Sequence, residues 1–178
     1  NILDATDIPA LSADLGLRRL RTLALDHNRL GPEGISHLIT SGALRNLTYL
    51  NLDCTHMGDE GIQTLASAGV AFPNLKRFSA GCYNQITSIG AEAIARSSAF
   101  RPLRSLSLTF NQIDDLGAEA LANSPHLQNL EALYLGYNRI TDHGARLLIE
   151  SPNLPRLKRL KLQGNTLSED TQLMLRGW

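Results

Sequence analysis

No stretch of about 18 consecutive apolar residues occurs, so the sequence holds no candidate for a membrane-spanning helix. Neither sign of charge dominates: 17 lysines and arginines balance 17 aspartates and glutamates. That balance removes the basic stripe on which nucleic-acid binding usually depends. Cysteine is scarce, with only Cys54 and Cys82 among 178 residues. Two cysteines are not a disulfide framework, which points to free thiols in a reducing, cytoplasmic compartment. Nothing at the start resembles a signal peptide. No phosphate loop, Ser-His-Asp arrangement or pair of catalytic carboxylates can be recognised, so no catalytic residue, cofactor or enzymatic activity is expected.

What the sequence does hold is a repeat. Leu103-Arg-Ser-Leu106-Ser-Leu108-Thr-Phe-Asn111 recurs as Leu20 to Asn28, Leu130 to Asn138 and Leu157 to Asn165, with weaker copies from Leu47 to Thr55 and Leu75 to Asn84. The leading leucines are 27, 28, 28, 27 and 27 residues apart. A fixed period in that range is the signature of a solenoid. The third copy carries one extra residue, read as a bulge near Gly81-Cys82-Tyr83.

Each copy continues in the same way. Two residues after the asparagine position comes an apolar residue (Leu30, Met57, Ile86, Ile113, Ile140, Leu167). Next comes a helix-capping type: Gly31, Gly58, Thr87, Asp114, Thr141 or Ser168. Acids then favour the first turn of a helix, followed by a small residue, often glycine, and by a leucine or isoleucine. Each repeat therefore reads as strand, asparagine turn, short helix and connector. The three strand leucines point into a shared core. The asparagine amide, both donor and acceptor, satisfies backbone groups at the turn, and Thr55 supplies only part of that.

The register extends to the first residues: Asn1 aligns with Asn28, Leu3 with Leu30, Ile8 with Ile35 and Leu11 with Leu38. The expected organisation is one domain over residues 1–178, with six strand-containing repeats preceded by a partial repeat at 1–19. The missing first strand suggests a fragment of a longer protein, whose open N-terminal end invites fraying or self-association.

The period, the strand motif and the helical half resemble the ribonuclease-inhibitor-like class of leucine-rich repeats. Gly90-Ala-Glu-Ala-Ile-Ala95 and Gly117-Ala-Glu-Ala-Leu-Ala122 also resemble the GALA repeats of bacterial effectors. The first resemblance implies an α/β right-handed leucine-rich-repeat solenoid, a horseshoe with parallel β-strands on the concave face and helices on the convex face. It also implies a module that binds a protein partner on its concave face, usually without catalysis. The second implies the recognition domain of a bacterial effector, delivered into a host cell and lacking its upstream domain here. A GTPase-activating protein is a further alternative, and would need an arginine donor such as Arg29 or Arg139.

Residues between the leucines alternate away from the core and form the candidate partner surface. Its acids lie early. Tyr49, Phe110, Tyr134 and Tyr137 are four of the eight Phe and Tyr residues in the chain. With Arg77, Arg159 and Lys161 they form the candidate partner-binding set, since exposed Tyr and Arg are the types enriched at hot spots. Phe110 and the tyrosines equally suit covering the rim of the core. Asp26, His27, Asp53, Cys54, His56 and Cys82 fall on adjacent strands and are of metal-ligating type. No Cys-x-x-Cys pair accompanies them, so no bound metal is expected. Cys54 and Cys82 fall on neighbouring strands, which are spaced about 5 Å apart; a disulfide is sterically conceivable, but free thiols are expected.

Overall fold

The computed structural model describes residues 3–12, 19–69 and 72–178. The alignment of Asn1 with Asn28 falls outside the described residues, as does the side chain of Leu11.

Six three-residue strands form one parallel sheet in chain order: β1 (Thr22–Ala24), β2 (Tyr49–Asn51), β3 (Arg77–Ser79), β4 (Ser105–Ser107), β5 (Ala132–Tyr134) and β6 (Arg159–Lys161). Seven α-helices accompany them among the described residues: α1 (Ile8–Ser12), α2 (Gly31–Thr40), α3 (Gly58–Ser67), α4 (Ser88–Arg96), α5 (Asp115–Ala122), α6 (Asp142–Ile149) and α7 (Glu169–Met174). The repeat reading is borne out element by element. Parallel strands lie about 4.8 Å apart, whereas packed helices need roughly 8–10 Å. A stack that alternates the two must curve, and its strands line the inner face.

The strand register aligns the second motif position across all repeats. Leu23, Leu50, Phe78, Leu106, Leu133 and Leu160 form one buried row. Leu25, Leu52, Ala80, Leu108, Leu135 and Leu162 form a second. Below them lie Leu30, Met57, Ile86, Ile113 and Ile140, then Leu38, Leu65, Ile94, Leu121 and Leu148 from the helices, all buried. The third repeat departs from leucine. There Phe78 packs against Phe100, with ring centroids 5.7 Å apart, and Phe72 against Phe100 at 5.6 Å.

The partial repeat joins the same stack. Ile8 is fully buried, Leu3 packs against the core, the main chains of Asp4 and Arg29 pair as an isolated parallel β-bridge, and Leu3 N–H donates to Asn28 Oδ1 at 2.8 Å.

Asparagine side chains stitch the repeats together. Asn111 Oδ1 accepts from Ile86 N–H at 3.0 Å, and its amide donates to Ala80 O and Leu108 O. Asn138 and Asn165 repeat the pattern one and two turns on. Thr55 breaks it as expected: its hydroxyl donates to Leu52 O and Asn84 Oδ1, both in its own or the following repeat.

A carboxylate ladder on the helical side was not foreseen. Asp59 accepts from Thr87 N–H, Thr87 Oγ1 and Gly90 N–H of the next repeat, and Asp115 does the same for Thr141 and Gly144. This explains the small residue. A methyl group on Gly90 would stand 2.6 Å from Asp59 Oδ1. Capping is more varied than the sequence implied. Thr87, Asp114, Thr141 and Ser168 cap with their side chains, but Gly31 and Gly58 open their helices in the left-handed conformation, with φ +57° and +59°. Serines close the other end: Ser97 and Ser124 donate to Ala66 O and Ala95 O of the preceding repeat.

Two aspartates on this side titrate below the usual carboxylate range. Ser88 Oγ and Leu116 N–H donate to Asp114, and Ser168, by both backbone and side chain, to Asp142. A carboxyl whose pKa is lower in the folded chain contributes its full stability above its unfolded value, and loses it as pH falls through the folded value. Stability should therefore hold above about pH 4 and decline as pH falls further. Asp114→Asn should flatten that decline in acid urea titrations; an unchanged acid limb would discount the Ser88 contact.

Candidate functional site

The sequence-derived set separates into two places. On the strand face, Arg77 lies over the Tyr49 ring, with Cζ 4.8 Å from its centroid. Arg159 Nη1 donates to Tyr134 Oη at 3.4 Å. Both pairs lay a guanidinium from one strand against a tyrosine from the strand before. Lys161 Nζ donates to the main-chain oxygen of Trp178 at 3.3 Å. Arg77, Arg159 and Lys161 are exposed, whereas Tyr49 and Tyr134 are half-buried. Ala132, in the same column, is buried.

Phe110 and Tyr137 sit elsewhere, on the turn that ends each strand. His27, Cys54, Phe110 and Tyr137 all have positive φ, between 54° and 58°. Left-handed backbone is uncommon for bulky L-residues and costs about 1–3 kcal/mol each. Main-chain bonds to the next repeat hold it: Phe110 N–H to Gly136 O at 2.9 Å and Tyr137 N–H to Gln163 O at 2.7 Å. The third repeat absorbs its extra residue here, with Cys82 and Tyr83 both at φ 58°. The result is an aromatic ridge. Phe110 stacks on Tyr137 with centroids 4.1 Å apart and planes 3° off parallel, and Tyr83 tilts onto Phe110 at 5.6 Å. Tyr83 is 68% exposed and Tyr137 47%. Among the described residues no ring contact joins Tyr134 to this ridge.

The extra residue of the third repeat leaves Cys82 or Tyr83 for this column in the sequence, and Tyr83 was not in the partner-binding set. Counting back from Asn84 places it in the column with Phe110 and Tyr137. Sequence reasoning also missed the column one residue after the leading leucine. Lys76, Arg104 and Lys158 from that column join Arg77, Arg159, Glu131 and Tyr134 around a shallow groove of about 560 Å³. Arg104 Nη1 is 2.9 Å from Glu131 Oε1. That leaves four basic groups along the groove without an ion pair among the described residues.

The expectation of free thiols is corrected. Cys54 and Cys82 are joined in a disulfide, their Cα atoms 4.8 Å apart. They occupy the same position in adjacent repeats, so the strand spacing itself brings them within bridging range. Disulfides persist in oxidising surroundings, so the inference of a reducing compartment loses its premise. No described helix is long and apolar enough to cross a membrane.

Of the six metal-ligating types, only His27, Cys54 and Cys82 converge, with their ligand atoms within 4.8 Å of one another. Asp53 is committed elsewhere, accepting from Ser79 Oγ at 2.7 Å and Gly81 N–H at 2.6 Å. Arg29 and Arg139 are exposed, and Arg139 donates to Gln112 Oε1.

These features define a leucine-rich-repeat protein. Two leucine-rich-repeat family models match the chain, one over residues 101–167 and the other over 17–38 and 43–66. Its fold is similar to that of an internalin, InlF, from Listeria monocytogenes, at 19% identity and TM-score 0.55, covering 92% of this chain and 46% of that one. An internalin C2 of the same organism is 19% identical with TM-score 0.48, over 93% of this chain and 84% of that one. This chain therefore spans less than half the length of InlF. No curated protein matches the sequence.

Proposed function

We propose that this chain is a ribonuclease-inhibitor-like protein-binding module whose concave strand face takes an acidic protein partner. The observation that carries the reading is the groove along β3 to β6. Lys76, Arg77, Lys158 and Arg159 border it, and the half-buried Tyr134 lies beside them. Bases in this arrangement steer and orient an acidic partner more than they add affinity. Tyrosine supplies contact area at low entropic cost, because only two side-chain torsions are frozen. The guanidinium contacts made by Tyr49 and Tyr134 hold both rings in place before a partner arrives. The ridge of Tyr83, Phe110 and Tyr137 offers a second, apolar contact at the strand ends. Helices of eight to ten residues in α2 to α6 support the ribonuclease-inhibitor-like subtype.

The test is affinity capture with the wild type, followed by titration of the captured protein against variants. Tyr134→Ala is expected to weaken binding by about 1–2 kcal/mol or more, the scale of a hot-spot truncation. Lys158→Glu is expected to slow association and reduce its salt dependence. Arg146→Ala, on the convex side, is expected to leave affinity unchanged. Loss of the partner with Arg146→Ala while Tyr134→Ala keeps it would place the interface on the helices instead.

A further inference from the structure

His27, Cys54 and Cys82 are held together by the repeat itself. Each ends its strand at the same turn position, in left-handed backbone at φ 58°, 54° and 58°. Each is anchored through its own N–H to the next repeat: His27 to Asp53 O at 2.9 Å, Cys54 to Gly81 O at 3.2 Å and Cys82 to Thr109 O at 2.8 Å. The imidazole and both sulfurs lie within 4.8 Å of one another. We propose that these three residues form a redox-gated site for a thiophilic metal ion, closed to metal as the disulfide and opened by reduction.

The chemistry follows from the ligand types. Two thiolates and one imidazole suit zinc, or another soft to borderline ion. Zinc takes sulfur at about 2.3 Å and nitrogen at about 2.0–2.1 Å, so tetrahedral ligands stand roughly 3.4–3.8 Å apart. The three ligand atoms already lie within 4.8 Å of one another, and reduction frees the two bonded sulfurs to move apart to that spacing. Side-chain rotation of the released cysteines covers the difference without moving the anchored backbone. His27 is exposed and both cysteines are half-buried, so an ion can enter and a fourth position faces solvent. Asp53, the nearby carboxylate, is occupied by Ser79 and Gly81 and leaves the set as two sulfurs and one nitrogen.

The steps balance. A dithiol reductant delivers two electrons and two protons, breaking the Cys54–Cys82 bond and itself closing to a disulfide. Metal binding then displaces the two thiol protons to solvent. While the sulfurs are bonded to one another, neither is a thiolate, and only His27 can ligate.

The experiment compares the oxidised chain with chain reduced by dithiothreitol and desalted without oxygen. Each is titrated with cobalt(II), with far-ultraviolet circular dichroism confirming that both are folded. The reduced chain is expected to bind one cobalt per molecule with thiolate-to-cobalt charge-transfer absorption, lost on adding zinc. The oxidised chain is expected to show no such band. Zinc should also protect the reduced cysteines from alkylation, a readout that needs no variant. His27→Ala should weaken binding at least tenfold, since even outer-shell partners cost about 10–100-fold. No charge-transfer band on reduction, alkylation unaffected by zinc, or unchanged affinity in His27→Ala would each overturn the site.

Discussion

Leu106→Ala and Leu133→Ala should each destabilise the fold by about 2–5 kcal/mol, the range for emptying a well-packed leucine site. Both side chains are fully buried and lie side by side in the β4–β5 register, with Phe78 before them and Leu160 after. Neither neighbour can close the gap, because strand spacing fixes the backbone on both sides. Urea unfolding of each variant measures the loss. A cost below about 1 kcal/mol at both positions would contradict the close packing of this row.

Asn138→Ala should cost about 3–5 kcal/mol although it removes few apolar atoms. The amide accepts from Ile113 N–H at 2.9 Å and donates to Leu108 O and Leu135 O at 3.0 Å. Truncation leaves Ile113 N–H without its side-chain acceptor, worth about 1–3 kcal/mol. It also takes one of two amide donors from each of Leu108 O and Leu135 O, which Asn111 and Asn165 still reach, at about 0.5–1.5 kcal/mol per bond. Two of the three belong to the preceding repeat, so the loss falls on the joint between repeats. Equilibrium unfolding reads it directly. A variant within about 1 kcal/mol of wild type would mean that water takes over the amide's role.

The leucine period made the sheet, the helices and the core legible, because one residue type at fixed spacing can only stack. The asparagine ladder was legible too, down to the gap at Thr55. Less visible was whatever depends on backbone sign. Residue types do not announce that His27, Cys54, Phe110 and Tyr137 share a left-handed turn, so the ridge was read as part of the strand face. The nearness of Cys54 and Cys82 was legible, but their bond was not expected. Cysteine count speaks about compartment, whereas bonding follows from two cysteines sharing one repeat position. The basic groove was missed because the columns were read from the second leucine, and Lys76, Arg104 and Lys158 stand one place earlier.

Thr55 has a mechanical consequence. Stability in a solenoid is a sum of repeat terms and nearest-neighbour joints, and the joints here are unequal. Between the second and third repeats run the Asn84 amide, the Asp53 and Asp59 carboxylates and a covalent bridge. Between the first and second, the Thr55 hydroxyl contributes nothing to the earlier repeat, and main-chain bonds such as Leu25 N–H to Asn51 O carry the seam. A fraying front entering from the first repeat is expected to meet a seam at Thr55 that lacks the asparagine amide, and a covalently reinforced joint one repeat later. That clamp is expected to tie the second repeat to the third, whose strand is the first to line the basic groove.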